Sequence, residues 1–283
     1  MTGKLIKYEF RSGLRYIGII WPALIVSAVL LGIVLRVMGT VFPENPQGIL
    51  SILELIFELV FPLLYGAIFI AMIVITVFIV LMRFYKGLLG DEGYLMHTLP
   101  VKPWELITSK GIVAGAVVVI SIICAVLSIL ILVGINDMTG LIVAAKDFFE
   151  ALGEEPRLVL VIIEVLFIMV AGVLESIYQI YAAMAIGQLV DKHRLLASLG
   201  AYIGIDVVLT SLASALFVIV DFTCMDVWLT DWLTSIEATV GMNSDGFILV
   251  QAGLGIAFVV IAVQLVAFHI TAERILSKKL NLL

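Results

Sequence analysis

Three acidic side chains stand inside stretches that are otherwise free of charge. Glu164 and Glu175 interrupt the apolar run 158–190, and Asp206 interrupts the run 195–220. Glu164 and Glu175 are 11 residues apart; on a helix that spacing brings them within about 20° of each other. Tyr178 and Gln179 flank the same face. A turn centred near His193 puts Asp206 within about 7 Å of the depth of Glu175 along straight helices. A charged group facing lipid costs at least ~2.5–3.5 kcal/mol. These acids should therefore face a cavity, a partner helix or a second subunit. Three chemistries fit them: protonated carboxyls that hydrogen-bond helix to helix, a polar lining of a translocation path, or a proton relay.

Other chemistry is missing from the sequence. There is no G-x-x-x-x-G-K-[ST], so the chain does not cradle ATP phosphates itself. There is no H-E-x-x-H, and His97, His193 and His269 do not have metal-ligand spacing. No G-x-S-x-G supplies a nucleophile elbow. The reading is a chain without an enzyme site, cofactor or metal of its own. Cys124 and Cys224 allow at most one disulfide; Cys124 falls in an apolar run, so two free thiols are expected.

The elements that must position the acids follow from composition. Of the 283 residues, 63% are hydrophobic and 13% charged, with mean hydropathy +1.23. Soluble domains average ~45–50% apolar and ~25% charged. A soluble fold could not hide this much apolar surface. That excludes a soluble enzyme, a nucleic-acid binder and a disordered chain, and leaves an all-α polytopic membrane protein. Charge-free runs place six spans at about 16–35, 59–82, 111–135, 158–190, 195–220 and 247–272. Pro22 and Pro62 each lie near the start of a span, where helices tolerate proline best. The fourth span would be roughly 50 Å long against ~30 Å of hydrocarbon, so it must tilt, break near Gly172 or protrude. The opening segment does not read as a signal peptide: its charges run to Arg15 and no small-residue cleavage site follows.

Lys and Arg set the orientation. Thirteen of the 16 fall at the N-terminus, in 83–110, in 191–194 and at the C-terminus. The opposite side keeps Arg36, Lys146 and Arg157. Both termini are therefore expected in the cytoplasm, and the net charge of −6 mainly outside.

Three extramembrane segments stand out. In 3–17, Lys4, Lys7, Arg11 and Arg15 share one helical face, and Ile6, Phe10, Leu14 and Ile17 share another. This is an interfacial basic helix, here given the bounds 3–15, acting as an anchor or as a lever on a partner. The loop 83–110 is punctuated by Gly87, Gly90 and Gly93, and its Pro103-Trp-Glu marks a helix start. Lys86, Leu88, Leu89, Asp91, Glu92, Tyr94, Leu95 and Met96 mix apolar side chains with charges in water, which points to a protein-docking element, with a loop folded against the membrane face as the alternative. The segment 221–246 carries Trp228 and Trp232 at helical spacing, with five acids and no Lys or Arg, and reads as a short outer interfacial or re-entrant helix, or a simple aromatic anchor.

The opening GKLIKYEFRSGLRY, the loop FYKGLLGDEGYLMHTLPVKPWELITSK and the closing ERILSKKLNLL resemble the permease subunits of ABC-2 type exporters of Gram-positive bacteria. The resemblance covers the whole chain. Within that family the chain is similar to the membrane subunits of exporters for amphipathic, phenol-soluble-modulin-like peptides. The resemblance implies a single permease domain with the ABC-2, type V exporter-like fold. It implies an elbow helix before the first span, a coupling helix within 84–110 and short outer helices within 221–246. It also implies a permease dimer, with a homodimer favoured and a heterodimer as the alternative, on two separate ATPase subunits that hold ATP and Mg. The expected function is ATP-driven export of an amphipathic peptide or lipid-like substrate across the bacterial plasma membrane. Its rivals are a proton-coupled carrier using the intramembrane acids and a non-transporting scaffold that recruits partners through 83–110.

Overall fold

The computed structural model describes residues 2–41, 48–89, 102–190, 192–222 and 247–278, together with 227, 231 and 235. Among these residues there is no strand, and nearly all are helical. The elements are α1 (Thr2–Ile17), α2 (Ile20–Val41), α3 (Ile49–Phe84), α4 (Pro103–Asn136), α5 (Met138–Glu154), α6 (Pro156–Gly187), α7 (Arg194–Phe222) and α8 (Phe247–Lys278). A π-helical turn, Tyr85–Leu89, continues α3. Among the described residues six helices, α2, α3, α4, α6, α7 and α8, are long and apolar enough to cross a membrane. Their outward faces are apolar too: Ile70, Val74 and Phe78 of α3 are 62%, 58% and 55% exposed. Water would oppose such a surface and lipid would not, so this is the build of a multi-pass membrane protein.

Several boundaries differ from the sequence reading. The basic helix runs to Ile17, so the first span begins at Ile20, four residues later than expected. The second span was expected from residue 59, yet α3 starts at Ile49 and places Pro62 in its interior. Lipid-embedded helices accommodate such a proline because neighbouring groups re-satisfy the freed carbonyl. The fourth span is one unbroken helix through Gly172, which removes the option of a break there. Its excess length is not unusual here, since α3 with its π turn runs 41 residues and α4 runs 34. Pro103 does open α4, with Glu105 in its first turn and Glu105 Oε2 3.4 Å from the backbone N–H of Lys102.

One element was not anticipated. The helix α5 fills the interval between the third and fourth spans. Its signal was present: Asp137 caps it, accepting from the Gly140 N–H at 2.8 Å.

The helices form two compact units. The first comprises residues 1–83 and 112–159. Its core is built from Leu24, Ala28 and Leu31 of α2, Met72, Thr76 and Val80 of α3, and Val113, Val117, Ser121 and Ser128 of α4, all buried. The spacings of three and four residues put one stripe of each helix inward. Polar groups inside this core are paired. Trp21 Nε1 donates to Ser121 Oγ at 3.0 Å, which lies 3.2 Å from Thr76 Oγ1. Tyr65 and Ser128 bond at 2.9 Å. Arg36 Nη1 donates to the Ile135 carbonyl at 2.9 Å, placing a cation at the negative end of α4. On the surface of this unit Glu9 of α1 pairs with Arg83 at the end of α3, 3.6 Å apart.

The second unit comprises residues 84–111 and 160–283. Its buried residues include Phe84, Leu88, Leu106, Ile107, Ile177, Tyr178, Tyr181, Ala182, Ala185, Phe268, Ala272 and Leu276. The turn between α6 and α7 is tight. His193 takes the left-handed conformation at φ 58 and its carbonyl accepts from the Ala197 N–H at 3.0 Å. Any side chain at Gly187 would run into Ser198 Oγ and the backbone of Ser198.

Candidate functional site

The second unit gathers aromatic and polar side chains where the ends of α3 and α4 meet α6. Phe84, the last residue of α3 before the π turn, stacks on Tyr181 of α6 with centroids 3.9 Å apart. Tyr181 meets Tyr178 edge-on at 5.8 Å, and Tyr178 meets His269 of α8 edge-on at 5.2 Å. The Tyr178 hydroxyl also bonds the Thr108 side chain on α4. Thr108 Oγ1 also donates to the Trp104 carbonyl at 2.7 Å. Gly111 makes room for this: a Cβ there would lie 2.5 Å from the Tyr178 hydroxyl oxygen. Nearby, Gly87 of the π turn leaves space for the buried Lys110, whose Nζ would lie 2.5 Å from a Cβ at that position. Both ends of the segment between α3 and α4 therefore rest on α6, at two tyrosines three residues apart.

The segment itself, with Asp91, Glu92, Tyr94, Leu95 and Met96, lies outside the described residues. Of its flank, Lys86 is exposed as expected. Leu88 and Leu89 are not: they are 1% and 7% exposed. The sequence reading left them in a wet loop, whereas the π turn carries them into the packing of the second unit. A π bulge shifts helical phase by one residue and is often found where a helix serves a site.

The acids are placed as follows. Glu164 and Glu175 are half-buried on α6, and Asp206 is exposed on α7. Gln179 is 7% exposed. The buried Glu164 Oε2 and Gln179 Nε2 have no hydrogen-bond partner. Among the described residues, no hydrogen bond or ion pair joins any two of these four side chains. So α6 carries unpaired polar groups on the helix that also receives both ends of the 90–101 segment. On α1, Lys7 and Arg11 are exposed while Ile6 and Phe10 are half-buried, the split its periodicity predicts. Lys4 and Arg15 are helical in backbone, and their side chains lie outside the described set. In 221–246, Asp221 and Phe222 end α7, the described positions Val227, Asp231 and Ser235 are helical, and Trp228 and Trp232 lie outside the described residues.

Sequence reasoning missed Phe84, Tyr181 and Thr108. A signal for Tyr181 existed: Tyr178 and Tyr181 are three apart on one helix and face the same way. Nothing local pointed to Phe84 or His269 as their partners. Among the described residues, no group of three or more His, Cys, Asp or Glu side chains is placed to hold a metal ion. Cys124 is a free thiol. No protein-family model, curated protein or solved structure matches the chain.

Proposed function

We propose that the chain is the membrane-spanning permease subunit of an ATP-driven ABC exporter, with both termini in the cytoplasm of a bacterial cell. It works as a dimer on two ATPase subunits, which hold the ATP and Mg. The substrate is an amphipathic peptide or lipid-like molecule taken from the cytoplasm or inner leaflet. The observation that carries this reading is the double attachment to α6: Phe84 on Tyr181, and Thr108 on Tyr178. In this reading 84–110 is the coupling segment, and its sequence is the piece that most resembles ABC-2 permeases. A push on that segment by a closing ATPase arrives at α6 through both tyrosines and at α8 through His269. The same helix holds Glu164, Glu175 and Gln179, whose unpaired polar atoms suit the lining of a path. Rigid helices carry the motion to the far side, as in other domain-scale switches. The amphipathic α1 serves as the elbow on the inner leaflet.

A second reading, a proton-coupled carrier, is favoured by one observation: Glu164 and Glu175 are half-buried on one span, and the buried Glu164 Oε2 has no hydrogen-bond partner. The test is reconstitution with a candidate ABC ATPase. Proteoliposomes should accumulate a labelled cationic amphipathic helical peptide only with ATP. Lys86→Glu and Leu95→Asp should leave hydrolysis and reduce transport. Peptide uptake driven by a pH gradient without ATP would replace the permease by the carrier. Absence of both activities, with partner capture through 83–110 retained, would leave the scaffold.

A further inference from the structure

The 17 residues of α5 have no place in the scheme above. This helix is linked to α4 by Asp137 alone and to α6 by Glu155 alone. Both links have extended backbone, φ −134, ψ 78 and φ −122, ψ 84, which ends one helix and redirects the next. Its neighbours on both sides are helices long and apolar enough to cross a membrane, and the charge-free runs of both end within a few residues of it. It does not itself qualify as a span.

Its side chains are sorted by face. At about 100° per residue, Thr139, Lys146, Asp147, Glu150 and Glu154 fall within an arc of about 100°. Every apolar residue except Val143 falls on the opposite half, with Met138, Leu141, Ile142, Phe148, Phe149 and Leu152 as the large ones. Leu141 lies against Gly134 of α4. No residue of the helix is buried. Met138, Ile142, Phe148 and Phe149 are 59%, 58%, 52% and 70% exposed. An apolar half-cylinder so exposed needs a cover, and the hydrocarbon around the two adjoining spans is continuous with it.

We propose that α5 is an interfacial helix, lying in the membrane surface on the side opposite α1, with its Phe148–Phe149 half among the acyl chains and its Lys146–Glu150 half in water. Three spans separate α5 from α1, which fixes the side. The polar half is net acidic, with Lys146 set against Asp147, Glu150 and Glu154. Anionic headgroups therefore do not hold it. Attachment is by apolar area, and it is insensitive to salt and to the anionic lipid fraction. This distinguishes α5 from α1, whose polar face is basic. The inference rests on the chain spanning a membrane and not on what it transports.

The experiment is a nitroxide scan of positions 138–154 in the full chain, with Cys124→Ala and Cys224→Ala, in vesicles of phosphatidylcholine with and without phosphatidylglycerol. Accessibility to oxygen should peak at 138, 142, 145, 149 and 152. Accessibility to a water-soluble nickel chelate should peak at 139, 146, 147, 150 and 154. The two waves should be out of phase and alike in both lipids and at high salt. Ile142→Asp with Phe149→Asp should abolish the oxygen wave while a label at Val126 of α4 keeps its own oxygen accessibility. Nickel access at every position would place α5 in water and overturn the proposal. So would dipolar broadening between labels on the apolar half, which would put a second copy where lipid is proposed.

Discussion

Phe84 and Tyr181 lie face to face, 14° from parallel, with 0% and 1% of their surfaces exposed. The pair joins the tail of α3 to α6 just before the helix changes to a π turn. Phe84→Ala or Tyr181→Ala should lower stability by ~3–5 kcal/mol, as large-to-small changes in a tight core do. Phe84→Leu keeps most of the volume and gives up the stacking term, ~0.5–1.5 kcal/mol. Thermal unfolding in detergent measures both. If the stack transmits motion, Phe84→Leu should also cut transport per ATP hydrolysed, while a loss of packing elsewhere of similar size should not.

Two glycines give contrasting outcomes. Gly111→Ala presses on the Tyr178 hydroxyl and ring edge, which are side-chain atoms able to shift. It should cost ~1–3 kcal/mol, and Tyr178→Phe should recover part of that by removing the hydroxyl. Gly187→Ala meets the backbone N and Cα of Ser198 as well as its Oγ. Backbone cannot rotate away, so Ser198→Ala should recover little, and the α6–α7 turn should fail to close. Expression level and melting temperature of the four variants separate the cases.

The existence of six spans was legible because each is a long run nearly free of charge. Their ends were not. Glu54 and Glu58 halted the hydropathy signal ahead of the second span, yet the backbone of α3 continues through both positions to Ile49. Hydropathy reports where lipid is tolerated, while a helix ends where its hydrogen bonds end. The helix α5 escaped notice because its charged half dilutes the apolar signal, although its periodicity and the Asp137 cap were in the sequence. Leu88 and Leu89 were misplaced because no local rule foretells a π turn. The contacts of Phe84 with Tyr181 and of Tyr178 with His269 span about a hundred residues of sequence, and periodicity carries no information at that range.

Glu9 and Arg83 offer a cleaner electrostatic test. Their side chains are 15% and 20% exposed, so the 3.6 Å pair is partly shielded from solvent. Glu9→Lys should destabilise the chain by ~1 kcal/mol, the upper range for pairs near a surface. The swap Glu9→Lys with Arg83→Glu should restore most of it, and the difference should shrink in high salt. Equal melting temperatures for wild type and Glu9→Lys at low salt would show the pair to be idle.

The acids of α6 decide between the two transport readings. Glu175→Gln keeps the shape of the side chain and its hydrogen bonding, and removes only its potential charge. A permease driven by ATP should retain ATP-driven transport in this variant. Its main loss should be affinity for cationic substrates, ~1–3 kcal/mol for a missing charge-assisted hydrogen bond. A proton-driven carrier should instead lose most of its transport and its dependence on pH. If Glu175 only holds helices together, Gln should leave substrate affinity unchanged and Leu should lower thermal stability. Glu164 deserves the parallel substitution because its Oε2 is buried without a hydrogen-bond partner. A buried polar atom in that state gains from a partner that a ligand supplies, so Glu164→Leu should weaken substrate binding and Glu164→Gln should weaken it less. The measurement is transport in proteoliposomes with and without ATP at two pH values, for wild type and the four variants. Transport that never depends on ATP and vanishes in Glu175→Gln would reject the permease reading in favour of the carrier.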